Sequence, residues 1–482
     1  MVETYKAQFI DFLLSREVLK IGGPFTLKSK RQSPYFIKLD DVNDGAGLNS
    51  LGSAYANTIL ANLKPEDFDG VVGIPKKAHV FGPAITGELA RAGANKPYSS
   101  WRDTPKTYGD ATALGTDEIE QRQKEYILGA RIPPRSRVVL LDDVMTAGDA
   151  KVDALKMLNY LAQDVTIPAL VIAANRQEVD EYGDNAIEEF RATHGIPVFY
   201  PITASDIFDH LKESGRLSPE DEHAFTSYLR AWGTPEVRGN YGLVDKPLIP
   251  GRSVIPACDT DSIERFEQVV RETADITGIS GYKLGFELGL RYGLPRLVEI
   301  AKKHAPNKVI IYDHQKAATD IGDPEFGRKF ARTAKDSGVD AVIFFPQSGP
   351  VTQTAWTGEA LQTGLSVIIG GHMTHKGYLV EERGYIRNSA PMEMYMRAAR
   401  HGVVNFVVPG NNPEAVKTYR EALQALGITP VLFAPGFITQ NGSISETGKA
   451  AGENFHAIVG RDIMNAKDIR AKAEELTAQL VA

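Results

Sequence analysis

Cysteine is almost absent from the 482 residues: Cys258 is the single one. One thiol excludes an intramolecular disulfide and a cysteine-rich zinc site, and it suits a reducing compartment, so a cytoplasmic location is expected. An excess of cations is missing too. Against 54 Lys and Arg stand 61 Asp and Glu, a formal net charge of −7. That speaks against nucleic acid as the main partner and leaves room for a local basic pocket around a small anion. No stretch approaches the roughly 18 consecutive apolar residues of a membrane span. The start, MVETYKAQFIDFLL, carries acids and lacks a basic n-region, so neither a membrane partner nor a secretory signal is expected. Low-complexity tracts are also missing. The chain is 43% hydrophobic and 24% charged, as folded globular domains are. At roughly 150 residues per domain its length allows two to four domains.

Gly233–Gly251 is rich in Gly and Pro and has no helical stripe, which marks a boundary. We read residues 1–235 as one domain, 236–250 as a linker and 251–482 as a second domain. Behind the boundary, β-rich runs recur at even spacing: SVIPAC from Ser253, GYKLG from Gly281, KVIIYD from Lys308, VDAVIFF from Val339, SVIIGG from Ser366, VVNFVV from Val403, TPVLFAPG from Thr429 and FHAIVG from Phe455. Amphipathic stretches lie between most of them. Asp261–Ile276 places Ile263, Phe266, Val269 and Val270 on one face, and Pro324–Ser337 and Pro413–Leu426 are similar. Eight strand–helix units predict a (β/α)8 TIM barrel. In the first half FDGVVGI from Phe68, RVVLLDDV from Arg137 and PALVIAAN from Pro168 are continuous apolar runs. Strands buried on both faces read this way, so an open α/β sheet is expected, with a helix over Ala150–Ala162.

The most specific string of the first half is Val138-Val-Leu-Leu-Asp-Asp-Val-Met-Thr-Ala-Gly148. An apolar strand ends in two acids, then a small-residue turn opens a helix. Backbone N–H groups of such a turn make an anion cradle, and Asp142 and Asp143 suit ribose hydroxyls or Mg²⁺-bound water. A plain strand with helix-capping acids is the competing reading for the acid pair alone.

This string resembles the phosphoribosyl-diphosphate (PRPP) signature of type I phosphoribosyltransferases, and the half as a whole resembles the orotate phosphoribosyltransferase family. The resemblance implies PRPP contacts from Asp142, Asp143, Thr146, Ala147 and Gly148. In Phe25–Phe36 it implies that Lys28 approaches the diphosphate or orotate, and that Tyr35 and Phe36 flank the flat orotate ring; by themselves these two aromatics read as core. Gly73-Ile-Pro-Lys-Lys77 is similar to the diphosphate loop, with Lys77 as its cation. Arg102-Asp-Thr-Pro-Lys-Thr-Tyr-Gly109 is similar to the family's basic catalytic loop, with Arg102, Lys106 and Tyr108 at matching positions. Asp103 stands where a second basic residue is usual, and Asp110–Gly129 is longer than the pattern. Arg176 resembles the arginine that pairs with orotate's carboxylate, to which a planar fork is suited. Mg²⁺ is the implied cofactor, bound mainly through PRPP.

In the second half, charges gather at strand ends, where barrels build active sites. Lys283 ends the second strand. Asp313, Lys316 and Asp320 follow the third in Tyr312-Asp-His-Gln-Lys-Ala-Ala-Thr-Asp-Ile321. Any one of these is most simply a solvated charge; four of alternating sign at neighbouring strand ends are not. After strands seven and eight come Ala434-Pro-Gly-Phe437 and Val459-Gly-Arg-Asp-Ile463. Gly436 and Gly460 would let the backbone approach a phosphate and Arg461 would supply the fork, although each Gly alone reads as a turn.

This half resembles the orotidine 5′-monophosphate (OMP) decarboxylase family along nearly its whole length. By that resemblance Asp259 contacts the ribose, Lys283, Asp313, Lys316 and Asp320 are the catalytic Lys-Asp-Lys-Asp array, and Asp320 reaches a neighbouring subunit's site. Thr374 takes the place of a serine that touches the pyrimidine, and Gln440 bridges phosphate and base. The spacing departs from the common form: Asp-x-x-Lys-x-x-x-Asp stands in place of Asp-x-Lys-x-x-Asp. The resemblance implies no cofactor for this half.

The order of the halves is that of the bifunctional UMP synthase family. It implies orotate, PRPP, OMP and UMP as ligands and a homodimer or higher homo-oligomer. Two other readings stand beside it. One is a decarboxylase barrel fused to a catalytically weak PRPP-binding regulatory domain. The other is a Mg²⁺-dependent sugar-phosphate lyase barrel, such as the hexulose-phosphate synthases.

Overall fold

The computed structural model describes residues 3–108, 117–145, 149–314, 319–437 and 442–481. The chain divides into two compact units. The first comprises Met1–Leu27, Gln32–Asp180 and Asp184–Phe225; the second comprises Lys28–Arg31, Glu181–Gly183 and Thr226–Ala482.

In the first unit a helix, Thr4–Ser15, precedes an antiparallel pair, β1 (Leu19–Thr26) and β2 (Gln32–Ile37), with an irregular register between Ile21 and Phe25. Its central sheet contains β3 (Gly70–Gly73), β4 (Tyr98–Trp101), β5 (Ile127–Gly129), β6 (Val138–Leu141), β7 (Leu170–Val171) and β9 (Val198–Phe199), in the order β5-β4-β3-β6-β7-β9. Only the β4–β5 edge is antiparallel. Two further short strands, β8 (Ala174–Asn175) and β10 (Ile202–Thr203), pair parallel in a separate sheet. The run from Pro168 to Asn175, expected as one strand, is therefore split between two sheets. β3 and β6 are buried at every position, which is why they read as unbroken apolar runs. Val72, Leu140 and Leu170 from the sheet meet Leu158 and Phe190 from the helices in one core.

β3 leads through the helix Ala78–Arg91 to β4 on one side of the sheet. β6 leads through the helix Asp149–Leu161 to β7 on the other. The connections thus diverge between β3 and β6, and a crevice opens outside the carboxyl ends of two strands at such a switch point.

The second unit is a closed barrel of eight parallel strands in sequence order. They are β11 (Arg252–Cys258), β12 (Gly281–Leu284), β13 (Val309–Asp313), β14 (Ala341–Phe344), β15 (Ser366–Gly370), β16 (Asn405–Val407), β17 (Val431–Ala434) and β18 (Phe455–Val459). Each falls on one of the eight expected runs. Closure is direct, with Val254 of β11 opposite Ala457 of β18. Ile255, Ile311, Ile343, Ile368, Phe433 and Ile458 fill the interior. The surrounding helices start where the sequence supplies caps. Asp323 accepts the Glu325 N–H ahead of Pro324–Asp336, and Asn412 accepts the Ala415 N–H ahead of Pro413–Ala425. In both, Pro occupies the first turn, where its missing N–H has no helical partner to lose.

Within the Gly/Pro-rich boundary, Pro235–Asn240 is helical and Thr234 caps it. Further on, the buried Asp245 carboxylate accepts from Arg230 at 2.6 Å and from Asn405 at 3.3 Å. Leu248 N–H donates to Asn405 Oδ1, and Ile249, 5% exposed, enters the barrel core. Residues expected as linker thus seal the barrel at the amino ends of its strands.

Candidate active sites

At the carboxyl end of the barrel, a cavity of about 400 Å³ receives residues from all eight strands or the turns that follow them. Lys283 is its most buried charge. Lys283 sits one residue before the end of β12, and its ammonium donates to Asp313 Oδ2 at 3.0 Å and Asp259 Oδ1 at 3.4 Å. Burial disfavours the ammonium, but the two carboxylates outweigh it, and the net effect raises the Lys283 pKa above its ordinary value. Asp313 is the last residue of β13 and Asp259 follows β11, so the three side chains come from adjacent strands. Gly285 makes room for this: a Cβ there would stand 2.4 Å from Asp259 Oδ1.

The opposite wall is apolar, formed by Ile343, Phe345, Met373 and Val407. Charge on one side and flat apolar surface on the other suits a polar, planar ring. Thr374, Gly436, Gly460 and Arg461 line the same cavity. Gly436 has φ +106°, a conformation that favours glycine. The Arg461 side chain is exposed and makes no hydrogen bond or ion pair among the described residues, which leaves its five donors available to an anion. Asp320 is exposed and does not line this cavity; its Oδ1 accepts the Ile321 N–H. Lys316 and Gln440 lie outside the described residues.

The segment after β15 is held from behind. The Tyr395 hydroxyl accepts the N–H groups of Gly371 and His372 at 3.2 and 3.0 Å and donates to the Val407 carbonyl at 2.7 Å. This fixes the stem from which Met373, Thr374 and His375 enter the cavity. Phe345, Met373 and His375 were missed by the sequence reading. The signal for Phe345 was Gly370, where a Cβ would meet the Phe345 ring at 2.2 Å. A second depression, about 640 Å³ and more open, lies at the amino ends of β12 and β13. Its Asp275 is tied to Arg470 and its His304 to Glu267, so no set of charges converges there.

In the first unit the switch point between β3 and β6 holds the other charged group. Gly73 and Leu141 are in register, which brings Lys77 beside Asp143. The Lys77 ammonium lies 2.7 Å from Asp40 and 3.6 Å from Asp143, and these partners outweigh burial to raise its pKa. Lys76 has φ +79°, and Lys77 immediately precedes the helix Ala78–Arg91. A strained turn, a cation and a helix amino end together form an anion cradle. Asp142 is buried and pairs with Lys151 at 2.7 Å; burial pushes its carboxyl pKa up and Lys151 only partly offsets this. Thr146, Ala147 and Gly148 lie outside the described residues.

Arg102 follows β4 and donates to the Ile127 carbonyl at 3.2 Å. The Lys106 ammonium stands 5.4 Å above the Tyr108 ring, and Tyr108 is exposed. The long stretch before Gly129 contains a helix, Glu118–Tyr126. Buried Gln123 holds it by donating to the Ile132 and Leu161 carbonyls and accepting the Ile132 N–H. Lys28 is exposed in the turn between β1 and β2. Tyr35 sits differently from Phe36. It is fully buried, with Phe225 stacked on its ring at 4.9 Å and the Arg176 guanidinium 4.1 Å from the ring centroid. Protein groups cover its faces, whereas Phe36 is half-buried. Arg176 donates to Glu178 at 2.8 Å and to Ser33 at 3.0 Å.

Comparison with known proteins finds matches to each half of the chain. Residues 252–476 match the family model described as the Orotidine 5′-phosphate decarboxylase / HUMPS family. An orotate phosphoribosyltransferase of Methylococcus capsulatus is 32% identical over 243 residues, spanning 48% of this chain and 100% of the relative. One from Haemophilus influenzae is 34% identical over 218 residues, 45% of this chain and 93% of the relative. The solved orotate phosphoribosyltransferase of Francisella tularensis aligns over 47% of this chain and all of its own, at 29% identity and a TM-score of 0.39. The OMP decarboxylase of Methanocaldococcus jannaschii covers 48% and all of its own, at 24% identity and a TM-score of 0.42. The chain belongs to the orotate phosphoribosyltransferase family over its first half, and its second half is similar to the orotidine 5′-phosphate decarboxylase / HUMPS family.

Proposed function

We propose that the chain makes UMP from orotate in two steps, as a fused UMP synthase. The first half transfers the phosphoribosyl group of PRPP to orotate and releases diphosphate. The second removes CO₂ from the resulting OMP. The observation that carries this reading is the union of the two families in one chain, with Lys283 held between two carboxylates in the barrel cavity.

In the first step orotate nitrogen attacks the sugar carbon as diphosphate leaves through an oxocarbenium-like state. Lys77, Arg102 and Lys106 stabilise the growing negative charge on the leaving group. No protein nucleophile is required. Arg176 and Phe36 orient orotate, and Lys28 approaches from its exposed turn. Mg²⁺ would enter this site with PRPP, where Asp143 offers a hard oxygen to a hydrated ion. An ion held there would supply charge neutralisation to the leaving diphosphate.

In the second step, loss of CO₂ leaves a carbanion at C6 of the pyrimidine. Lys316 stabilises that charge and returns a proton to it. Asp313 stands beside the substrate carboxylate, an arrangement that disfavours the ground state in one contested account. Lys283 holds Asp313 and Asp259 in place. Arg461, Gly436, Gly460 and Gln440 take the phosphate, whose binding energy contributes to catalysis remote from the reacting carbon. Thr374 contacts the pyrimidine. Asp320, exposed and outside the cavity, acts in a second copy's site, which makes the enzyme a homodimer or larger. A cytoplasmic location completes the proposal, supported by the single cysteine; among the described residues no helix is long and apolar enough to cross a membrane.

The test supplies orotate, PRPP and Mg²⁺ to the purified chain and follows orotate, OMP and UMP together. UMP from the wild type and accumulated OMP from Lys316→Ala are expected. Untouched orotate with rapid decarboxylation of added OMP would favour the regulatory reading of the first half. Loss of OMP decarboxylation in EDTA would favour the metal-dependent lyase barrel.

A further inference from the structure

The two acids that follow β6 have different surroundings. Asp142 is fully engaged inside the protein. Its Oδ2 lies 2.7 Å from Lys151 Nζ, with both side chains 8% exposed. Its Oδ1 accepts the Asp143 N–H at 2.8 Å. Its carbonyl accepts the Tyr55 hydroxyl at 2.7 Å, and its N–H donates to the Val171 carbonyl at 3.0 Å. Asp143 instead turns to the crevice. One of its oxygens accepts the Val144 N–H and the other lies 3.6 Å from Lys77, which is itself partly exposed.

Lys151 makes this division. Along the helix Asp149–Leu161, Lys151 occupies the same buried stripe as Ala154, Leu158 and Leu161. An apolar side chain belongs at such a position. An ammonium there is costly unless it is paired and hydrogen-bonded. Lys151 meets both conditions: besides Asp142, it donates to the Val144 carbonyl at 2.6 Å. One side chain therefore ties together the residues on either side of Asp143.

We infer that Lys151 is a positioning residue of the sugar-phosphate site: it withdraws Asp142 from the ligand and fixes Val144, so that Asp143, beside Lys77, is the carboxylate that meets the ribose hydroxyls of the phosphoribosyl donor. This rests on the proposed phosphoribosyl transfer. It also reassigns Asp142, which the sequence pattern groups with Asp143. Lys151→Met keeps the length and removes the charge, leaving the Asp142 carboxylate unheld beside an anionic donor.

The experiment measures PRPP affinity calorimetrically on the full chain with Mg²⁺, beside the KM and kcat of orotate consumption. OMP decarboxylation by the barrel reports that each variant is folded. Lys151→Met is expected to weaken PRPP binding and raise its KM about tenfold, with kcat within about threefold of wild type. Adding Asp142→Asn to Lys151→Met removes the unheld charge and is expected to restore PRPP affinity to within about threefold. Asp143→Asn, with Lys151 intact, is expected to weaken PRPP at least tenfold. Unchanged PRPP affinity in Lys151→Met, or a double variant no better than the single, overturns the inference, as does unchanged affinity in Asp143→Asn. A wild type that binds PRPP and consumes no orotate overturns the transfer reading alone, since the order of affinities still decides the role of Lys151. A wild type that binds no PRPP overturns both.

Discussion

Asp259 occupies the space that a side chain at Gly285 would take: a Cβ built on Gly285 stands 2.4 Å from Asp259 Oδ1. Gly285 has φ −89°, which any residue adopts, so the backbone does not demand glycine. The demand comes from the carboxylate. Gly285→Ala is therefore expected to leave the fold intact and push the exposed Asp259 carboxylate off Lys283. The melting temperature should change by less than about 3 °C. kcat/KM for OMP should fall about tenfold, ~1.4 kcal/mol of transition-state stabilisation. Steady-state decarboxylation and a thermal melt measured together decide it. A large drop in melting temperature with unchanged kcat/KM would show that Gly285 serves packing and not Asp259.

Lys283 should be insensitive to pH across the working range. Its folded pKa is raised, so its contribution to stability is complete below its unfolded value near 10.4 and is lost only as pH rises through the higher folded value. The pH–rate profile of decarboxylation is expected to show no ionisation of Lys283 between pH 6 and 9. Lys283→Met strips the counter-charge from buried Asp313 and from Asp259. Decarboxylation should fall by about two orders of magnitude, ~3 kcal/mol, while orotate consumption with PRPP stays at the wild-type rate. Equal loss of both activities would mean the variant has unfolded the chain instead of disarming the barrel.

The barrel was legible because its strands are short, mostly apolar runs at even spacing, and because its charges stand at strand ends where a barrel must bind. Six of the expected residues after or near those ends, among them Asp259, Lys283 and Arg461, meet in one cavity with Asp313. What escaped the sequence has physical reasons. Ile249 sits among Pro and Gly, so a core residue read as linker. The helix Glu118–Tyr126 carries so much charge that it shows no apolar stripe; its buried anchor is Gln123, which acts by hydrogen bonds. The role of Lys151 has no sequence signal, because burial of a charge depends on a partner that the linear pattern does not display. Tyr35 was ambiguous for the opposite reason, since an aromatic suits a core and a ligand face equally well.

Cys258 ends β11, fully buried, with its thiol pKa pushed far up, chiefly by burial and also by the neighbouring Asp259. The thiolate is the reactive form. Native protein is expected to leave a thiol-reactive dye such as Ellman's reagent unreacted for hours at pH 8, and denatured protein to react at one thiol per chain. Loss of decarboxylase activity with rapid labelling of the native chain would instead place Cys258 at an accessible face of the barrel mouth.

His456 joins the sealing segment to the barrel, and its protonation should weaken that joint. The Ile249 carbonyl can only accept, so His456 Nε2 carries the proton and donates to it at 3.0 Å. Nδ1 then accepts the Ser253 hydroxyl at 2.8 Å. Both ring nitrogens are used by the neutral imidazole, and Phe433 packs against the ring at 4.8 Å. Burial lowers the His456 pKa to about 4. The unfolded chain binds the proton near pH 6.5, so stability is complete above that value and is lost as pH falls from about 6.5 to about 4. The loss amounts to about 3 kcal/mol. His456→Gln removes the titration while retaining hydrogen-bonding capacity. Wild type should therefore exceed the variant most at pH 7.5, and the gap should close as pH approaches 4.5. Urea unfolding of the barrel, followed by decarboxylase activity at each pH, measures the gap. A gap that is constant from pH 7.5 to 4.5 would mean that His456 stays neutral in the unfolded chain as well or titrates equally in both states, and the joint would then owe nothing to its protonation.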